Sequence, residues 1–363
     1  FKDMFRLTQF PTKRCFRATK NTVRFSRTLA TVPLSVPIKW QRLEDLPSKV
    51  ASTACALTSE GFCVISQKNA YFYKDDSWTQ SPFPKIKRKM TQVAGQINNV
   101  ISLNPDQMFV LESSKTQMQS TLIALYDVVE NTTTVLHESK PNIPPEASQV
   151  PFTKVYACKK LFGSKAWIFG EGYYESTVMS SVDSIGVAYF DLVTKKPFQR
   201  LSSLPNGPKD KRNVAVIADV KNNRVILLSS ADDNELVGYN STGTFHVHVF
   251  DIATQTFEPI ATENKAEPRT NFSASLVTVD GRQKIVVYGG YSMAVLRELV
   301  DDVDVLDLES WTWQKGEALD DDDVPDERFT CAMEPVASNS LIIAGGKRPN
   351  SVLKDSWLMT LGE

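Results

Sequence analysis

The chain has 363 residues, of which 42% are hydrophobic and 23% charged, and its formal net charge is −1. This composition is typical of a globular chain with enough apolar residues for a large core. The longest apolar runs are strand-sized, far short of the ~18 residues that a membrane-spanning helix needs, so no transmembrane segment is predicted. The five cysteines are irregularly spaced and form no CxxC pair, which excludes the common zinc and thioredoxin-like motifs.

Residues 1–37 form a basic leader with eight basic residues and one acidic residue, whereas residues 38–363 hold 33 basic and 41 acidic residues. On a helical wheel, five bases of the leader share one face: Lys13, Arg17, Lys20, Arg24 and Arg27. An Arg-rich, hydroxyl-rich, acid-poor amphipathic segment resembles a mitochondrial targeting presequence, and we therefore expect a mitochondrial localisation. Two alternatives stay open: a cytoplasmic protein whose basic arm binds nucleic acid or an acidic membrane, and a tail without a specific role.

A repeat runs through the remainder of the chain. Each copy has an aromatic or aliphatic residue, often followed by Asp and an aliphatic residue, and a bulky residue five to nine positions after the first. The copies begin at Tyr73, Tyr126, Phe190, Phe250, Leu306 and Met359, at intervals of 53, 64, 60, 56 and 53 residues. This spacing indicates one supersecondary unit per copy, with connecting loops of unequal length.

An aliphatic stretch that ends in small residues precedes each copy. The clearest examples, Lys284–Gly290 and Ser340–Gly346, end in glycine pairs, whereas Arg224–Ser230 ends in two serines. A third element opens the unit, and Pro268–Val277 is similar to Glu327–Met333 in this position. We expect the glycines to let a strand bend where the units crowd a common axis.

This order of strand, glycine pair, polar loop, aromatic-Asp and trailing tryptophan resembles the kelch repeat. The resemblance covers about residues 38–363 and is strongest in the last two copies. It implies an all-β fold, a six-bladed kelch-type β-propeller that forms one domain and a monomeric ring. It also implies scaffold roles, with the tryptophans between neighbouring blades, for Gly289, Gly290, Gly345, Gly346, Trp40, Trp78, Trp313 and Trp357.

The N-terminal end of this domain is predicted to complete its last blade. Trp40–Pro47 matches Phe198–Pro205, the expected outer strand of the third blade, at five of eight positions. The sixth copy has no outer strand of its own before Glu363. Residues 38–45 are therefore expected to pair with the last strand, so that the ring has no open sheet edge.

Histidine is scarce, with only His137, His246 and His248 in the chain. His246 and His248 would lie on one side of a strand and are the candidate metal ligands, although a packing role for both is favoured because no third ligand can be named. The P-loop, GxSxG and HExxH motifs are absent. Kelch-based oxidases hold copper with a set of histidines, tyrosines and a cysteine that cannot be placed here. The sequence predicts no catalytic residues and no cofactor.

Charged segments and insertions mark the predicted loops. The basic segment contains Lys85, Lys87, Arg88 and Lys89, and the acidic segment contains Asp320, Asp321, Asp322 and Asp323. Longer insertions occupy 141–150, 173–184 and 231–244. Unequal loops on a rigid scaffold suit recognition, so we expect a non-catalytic scaffold or adaptor that binds a protein partner of unknown identity.

In this interpretation, the acidic segment favours a basic partner and the basic segment an acidic one, and the propeller is not expected to bind nucleic acid. The alternative is a kelch-based oxidase or carbohydrate-processing enzyme, with a metal ion or a sugar held near the axis of the ring.

Overall fold

The computed structural model describes residues 35–50, 54–66, 68–84, 86, 96–113, 121–138, 154–171, 185–194, 199–201, 204, 206–208, 214–230, 245–292, 298–319 and 323–362. The regular elements in these ranges are β-strands. No helix in them is long and apolar enough to span a membrane. Of the predicted leader, residues 1–37, the first 34 residues lie outside the described ranges, and residues 35–37 belong to the first strand rather than to a leader.

The first strand, β1 (Ser35–Arg42), is followed by four antiparallel four-stranded sheets in chain order. The first sheet has β2 (Cys55–Thr58), β3 (Gly61–Ile65), β4 (Asn69–Lys74) and β5 (Ser77–Pro82). The second has β6 (Gln96–Asn104), β7 (Gln107–Ser113), β8 (Thr121–Asp127) and β9 (Thr132–Glu138). The third has β10 (Lys154–Ala157), β11 (Lys165–Glu171), β12 (Gly186–Asp191) and β13 (Gln199–Arg200). The fourth has β14 (Val214–Asp219), β15 (Arg224–Ser230), β16 (Phe245–Asp251) and β17 (Thr256–Ile260).

The last third of the chain forms an eight-stranded sheet with two four-stranded halves. The front half contains β19 (Ser273–Val279), β20 (Arg282–Tyr288), β22 (Val303–Asp307) and β23 (Thr312–Ala318). The closing half contains β24 (Ala332–Ala337), β25 (Ser340–Ala344), β28 (Ser356–Leu361) and β1. Two short ladders accompany them, formed by β18 (Arg269–Thr270) with β21 (Tyr291–Ser292) and by β26 (Lys347–Arg348) with β27 (Ser351–Val352).

Strand β1 closes the arrangement, because it pairs with both halves of the eight-stranded sheet. Residues Ile38 to Arg42 run antiparallel to β28, which is the pairing that the sequence predicts, although the strand begins at Ser35 and ends at Arg42 rather than spanning 38–45. Residues Ser35 to Ile38 run parallel to the end of β23. The terminal strand of the domain is therefore hydrogen-bonded on both sides, which removes the exposed edge that the last sheet would otherwise present.

Six apolar clusters hold the sheets face to face, and each contains residues of two neighbouring sheets or halves. Phe72 and Tyr126 belong to the cluster between the first and second sheets, and Ile123 and Ile168 to the next. Two further clusters join the third sheet to the fourth and the fourth to the front half. The last two join the front half to the closing half and the closing half to the first sheet. The described sheets therefore follow one another in a closed, propeller-like circuit.

Hydrogen bonds between sheets define the two faces of this circuit. Tight turns lie together on the turn face, where Ser59 N donates to Pro105 O at 2.8 Å and Thr278 N donates to Ser338 O at 2.6 Å. The opposite, loop face holds the ends of the second and fourth strands of each sheet. In an antiparallel meander these two strands end at the same edge, so every connection that leaves them starts on the loop face.

In four copies of the repeat, the Asp that follows the aromatic or aliphatic residue forms the turn after the third strand. Asp251 accepts hydrogen bonds from Ala253 N at 2.8 Å and Thr254 N at 2.7 Å, and Asp127 and Asp191 accept similar bonds from Glu130 N and Val193 N. These backbone donors hold the pKa of all three carboxyl groups below the ordinary value. The Asp is therefore a turn-forming residue, as expected of a side chain that can bond its own backbone two residues on.

We expect the fold to lose stability in acid through these turns. The Asp carboxyl groups have lower pKa values in the folded state than in the unfolded chain, where the pKa is near 4. Their contribution to the free energy of unfolding is therefore complete above the unfolded-state pKa and is lost as pH falls through the folded-state pKa values. Asp251→Asn keeps an acceptor oxygen but cannot titrate, so the free energy of unfolding should fall less steeply with pH in this variant. Urea unfolding between about pH 7 and about pH 3 measures this, and an identical pH profile for the variant and the unmodified chain would contradict it.

Gly316 permits the close approach of β1 to β23. A Cβ at this position would overlap the Cδ1 atom of Ile38 and would lie 2.8 Å from the Cβ atom of Val303. We expect Gly316→Ala to lower the free energy of unfolding by about 1–3 kcal/mol through overpacking. The double variant Gly316→Ala/Ile38→Val, which lacks the overlapping methyl group, should recover part of that loss in a double-mutant cycle measured by urea unfolding. Strictly additive effects would show that β1 does not depend on this contact.

Candidate functional site

The loop face is built on a hydrogen bond that recurs between neighbouring sheets. Gly290 N, just after β20, donates to Arg328 O at 2.8 Å, and Gly346 N, just after β25, donates to Val50 O at 2.8 Å. In the fourth sheet Ser230 stands at the corresponding position, and its hydroxyl donates to Arg269 O at 2.5 Å. The ends of these three second strands, β15, β20 and β25, therefore bind the carbonyl of the segment that opens the next unit.

The same contact explains the glycine pairs. Gly289 and Gly345 have φ values of 67° and 60°, and a Cβ at either position would overlap the carbonyl oxygen of Arg328 or Val50. The sequence assigned these glycines to bending near the axis. The structure adds a stricter reason, since only a residue without a side chain lets the neighbouring carbonyl come this close.

Two buried arginines fix the segments that open the front and closing halves. Arg328 is bidentate to Asp355, with Nη1–Oδ1 and Nη2–Oδ2 distances of 3.0 and 2.6 Å, and also donates to Gly345 O. Arg269 pairs with Asp304 and donates to Asp302 O at 2.9 Å. Burial alone would raise the pKa of Asp355, but the Arg328 guanidinium outweighs it and holds that pKa below its usual value. Both arginines are fully buried, and their bonds hold the segments that open the two halves in place.

A polar cluster joins the innermost strands of three sheets. Lys159, just after β10, forms an ion pair with Glu334 of β24, and its Nζ atom lies 3.4 Å from Cys55 Sγ of β2 and 3.2 Å from Met333 O. Burial raises the pKa of the Cys55 thiol to about 11. Burial also opposes the charge on Lys159, but Cys55 and Glu334 outweigh it and raise the pKa of Lys159. This cluster, which sequence patterns did not reveal, ties opposite parts of the circuit together.

The tryptophans assigned to the scaffold are packed between elements. Trp313 stacks on Phe245 of the fourth sheet with ring centroids 5.5 Å apart, and Trp78 donates from Nε1 to Glu44 O at 2.9 Å. Trp40 is half-buried against Tyr288 at 5.5 Å, and Trp357 donates from Nε1 to Asp355 Oδ2 at 2.7 Å. Trp40, Trp78 and Trp313 therefore pack at joins between sheets or halves, whereas the bond of Trp357 lies within the closing half.

The charged partner-binding candidates fall mostly outside the described residues, namely Lys85, Lys87, Arg88, Lys89, Asp320, Asp321 and Asp322. Asp323 is described and exposed. After it, Asp326 and Glu327 both pair with Arg348 of the closing half at 3.2 and 3.4 Å. The described residues that precede the two charged segments, at the ends of β5 and β23, lie on the loop face.

The candidate metal ligands His246 and His248 lie on β16 of the fourth sheet. His246 is half-buried, whereas His248 is 9% exposed. A cavity of about 330 Å³ adjoins the start of this strand and the end of β17, with Trp313 in its wall. Within the described ranges, no group of three or more His, Cys, Asp or Glu side chains is placed to hold a metal ion.

Comparisons with known proteins support the fold. No protein-family model matches the chain, and no curated protein matches it either. The solved structure of YjhT is similar over 88% of this chain and 99% of its own, with a TM-score of 0.57 and 12% identity. A fungal alcohol oxidase of the AA5 family, solved in complex with copper, is similar over 85% of this chain, with a TM-score of 0.53 and 13% identity.

The chain spans 61% of the oxidase's length. At this level of identity, both likenesses establish a shared all-β propeller fold and leave function to be argued from the site.

We expect the two partners of the Lys159–Glu334 pair to differ in how much stability is lost when each is replaced. Lys159→Met leaves Glu334, whose side chain is 5% exposed, without a counterion, whereas the side chain of Lys159 is 30% exposed. Orphaning a buried charge costs about 3–5 kcal/mol, so Lys159→Met should lower the free energy of unfolding by about 3 kcal/mol and Glu334→Gln by clearly less. Chemical denaturation of both variants measures this, and a larger loss in Glu334→Gln would refute it.

Proposed function

We propose that the chain is a six-bladed, kelch-like β-propeller that binds a protein partner through its loop face. The six apolar clusters support the blade count, because they join the four sheets and the two halves of the eight-stranded sheet in one closed circuit. The recurring contacts of glycine or serine with the next opening segment, and the aspartate turns, support the kelch-like assignment. In this count the front and closing halves are the fifth and sixth blades, joined through β1.

One topological observation carries the functional part of the proposal. All five charged or inserted segments that the sequence singles out follow a second or a fourth strand: β5, β9, β11, β15 and β23. The described ends of these strands therefore share the loop face. A hydrogen bond between segments is consistent with this placement. Ile185 N, just before the third strand of the third sheet, donates to Pro208 O at 3.1 Å.

The turn face offers far less variation. Its connections within the described residues are tight turns such as Ser59–Glu60, Pro105–Asp106 and Asp280–Gly281. Short turns bonded to their neighbours conserve one backbone shape, whereas longer connections with charged side chains supply the variable surface that recognition uses. The turn face therefore has short, similar turns and the loop face has the variable connections, and we assign partner binding to the loop face.

The charged segments support selective rather than nonspecific binding. The basic segment follows the first sheet in the sequence and the acidic segment follows the front half, so the segments of opposite charge begin at different sheets. Charges arranged in this way favour encounter with a partner of complementary pattern and disfavour wrong partners. The oxidase similarity supports only the fold, and no catalytic activity is proposed.

The test is a partner capture with matched charge reversals. We expect Asp321→Lys/Asp322→Lys to weaken binding of the partner recovered by the unmodified chain about ten-fold, equivalent to 1.4 kcal/mol. The control Glu60→Lys/Glu130→Lys makes the same charge change at exposed positions of the turn face and should retain the partner. Quantitative mass spectrometry of captures from the native cell, with thermal unfolding to confirm the fold, gives the readout. Loss in the control with retention in the loop-face variant would contradict the proposal.

A further inference from the structure

Three polar side chains share one side of the fourth sheet. His246 and His248 are one residue apart on β16, so they project to the same side. Ser229 of β15 lies directly opposite His246 in the antiparallel ladder, and directly opposite residues also share a side. We call Ser229, His246 and His248 the imidazole patch.

The patch faces the third sheet. Leu227, opposite His248, and Phe250, two residues after it, lie on the same side of the fourth sheet. Both pack in the apolar cluster with Phe169 and Val187 of the third sheet. The alternate residues Phe245 and Val247 point the other way, toward the front half. Polar groups are therefore embedded at the edge of an otherwise apolar junction between two sheets.

Two atoms of the patch are buried without a hydrogen-bond partner: Nδ1 of His248 and Oγ of Ser229. Ser229 is 1% exposed and His248 is 9% exposed. An unsatisfied buried polar group costs about 1–3 kcal/mol, and native structures satisfy nearly all of them with protein, water or an ion. The two atoms lie on adjacent strands, β16 and β15, and we therefore expect a ligand at the imidazole patch to bind them.

The two imidazoles of the patch differ in exposure. His248 is buried, and its Nδ1 atom has no hydrogen-bond partner. An imidazole nitrogen is a common ligand of zinc. His246 is only half-buried and gives the site an exit to solvent.

We propose that His246 and His248 bind a divalent transition metal ion of the zinc class. Their Cα atoms are separated by two strand residues, roughly 6.6 Å at a rise of about 3.3 Å each, a span that two imidazoles can close on one ion at about 2.0–2.1 Å from each nitrogen. Since the described residues hold no group of three ligating side chains, water completes the coordination, and the Ser229 hydroxyl bonds a metal-bound water. The site is open and exchangeable, and it is independent of partner binding at the loop face.

Equilibrium dialysis of the full chain against Zn²⁺ tests the site. We expect His246→Ala and His248→Gln each to weaken Zn²⁺ binding by about ten-fold or more, and Ser229→Ala to weaken it by less. His137→Ala is the matched control, since His137 lies on β9 of the second sheet, and it should bind as the unmodified chain does. Unchanged Zn²⁺ binding by either His246→Ala or His248→Gln, or an equal loss in the control, would overturn the assignment.

A second measurement is made on the unmodified chain and does not require His248→Gln. In the unmodified chain, Zn²⁺ should shift the imidazole NMR signals of two of the three histidines. The signals are assigned with His137→Ala and with His246→Ala, which alters a half-buried position. If Zn²⁺ shifts no imidazole signal, or shifts that of His137 alone, the proposal fails whatever the folding of His248→Gln.

Discussion

The architecture depends on a hydrogen bond between neighbouring sheets, in which the end of a second strand binds a backbone carbonyl of the segment that opens the next unit. Gly290 and Gly346 each donate a backbone N–H group to such a carbonyl, and Ser230 donates its hydroxyl group in the fourth sheet. The contact sets the spacing between neighbouring sheets at the loop face. Because the oxygen lies where a Cβ would be at Gly289 and Gly345, side-chain volume at these positions is limited by the neighbouring sheet and not by the strand itself.

The charged groups of the interior follow from the same constraint. A segment whose carbonyl is held this way must have a fixed conformation, and Arg269 and Arg328 fix it with ion pairs to Asp304 and Asp355 of the same half. Replacing such pairs with apolar residues can be neutral in stability, so their role here is best understood as positional. The Lys159–Glu334 pair acts at longer range, because it joins strands of different sheets. The two arginine pairs give the loop face a rigid base.

A rigid base explains why variable segments can be concentrated on one face. The six apolar clusters lie between sheets and consist mainly of strand residues. The described ends of β9, β11 and β15, after which the insertions follow in the sequence, share the loop face. The imidazole patch is different, because it lies at a junction between sheets. Polar atoms there carry a cost that a loop residue does not bear, and this is why we assign them a ligand of their own.

The sequence by itself determined the β character of the chain, the recurring strand and aspartate positions, and the pairing of the N-terminal strand with the last one. These features are local or periodic, since an Asp bonds its own turn and Trp40–Pro47 carries the pattern of another outer strand. The sequence did not reveal that Lys159 meets Glu334 and Cys55, that β1 also pairs with β23 beside Gly316, or that Ser230 replaces a glycine by donating its hydroxyl. Those contacts join residues far apart in the chain, and only the closure of the sheets into a circuit decides which of them become neighbours.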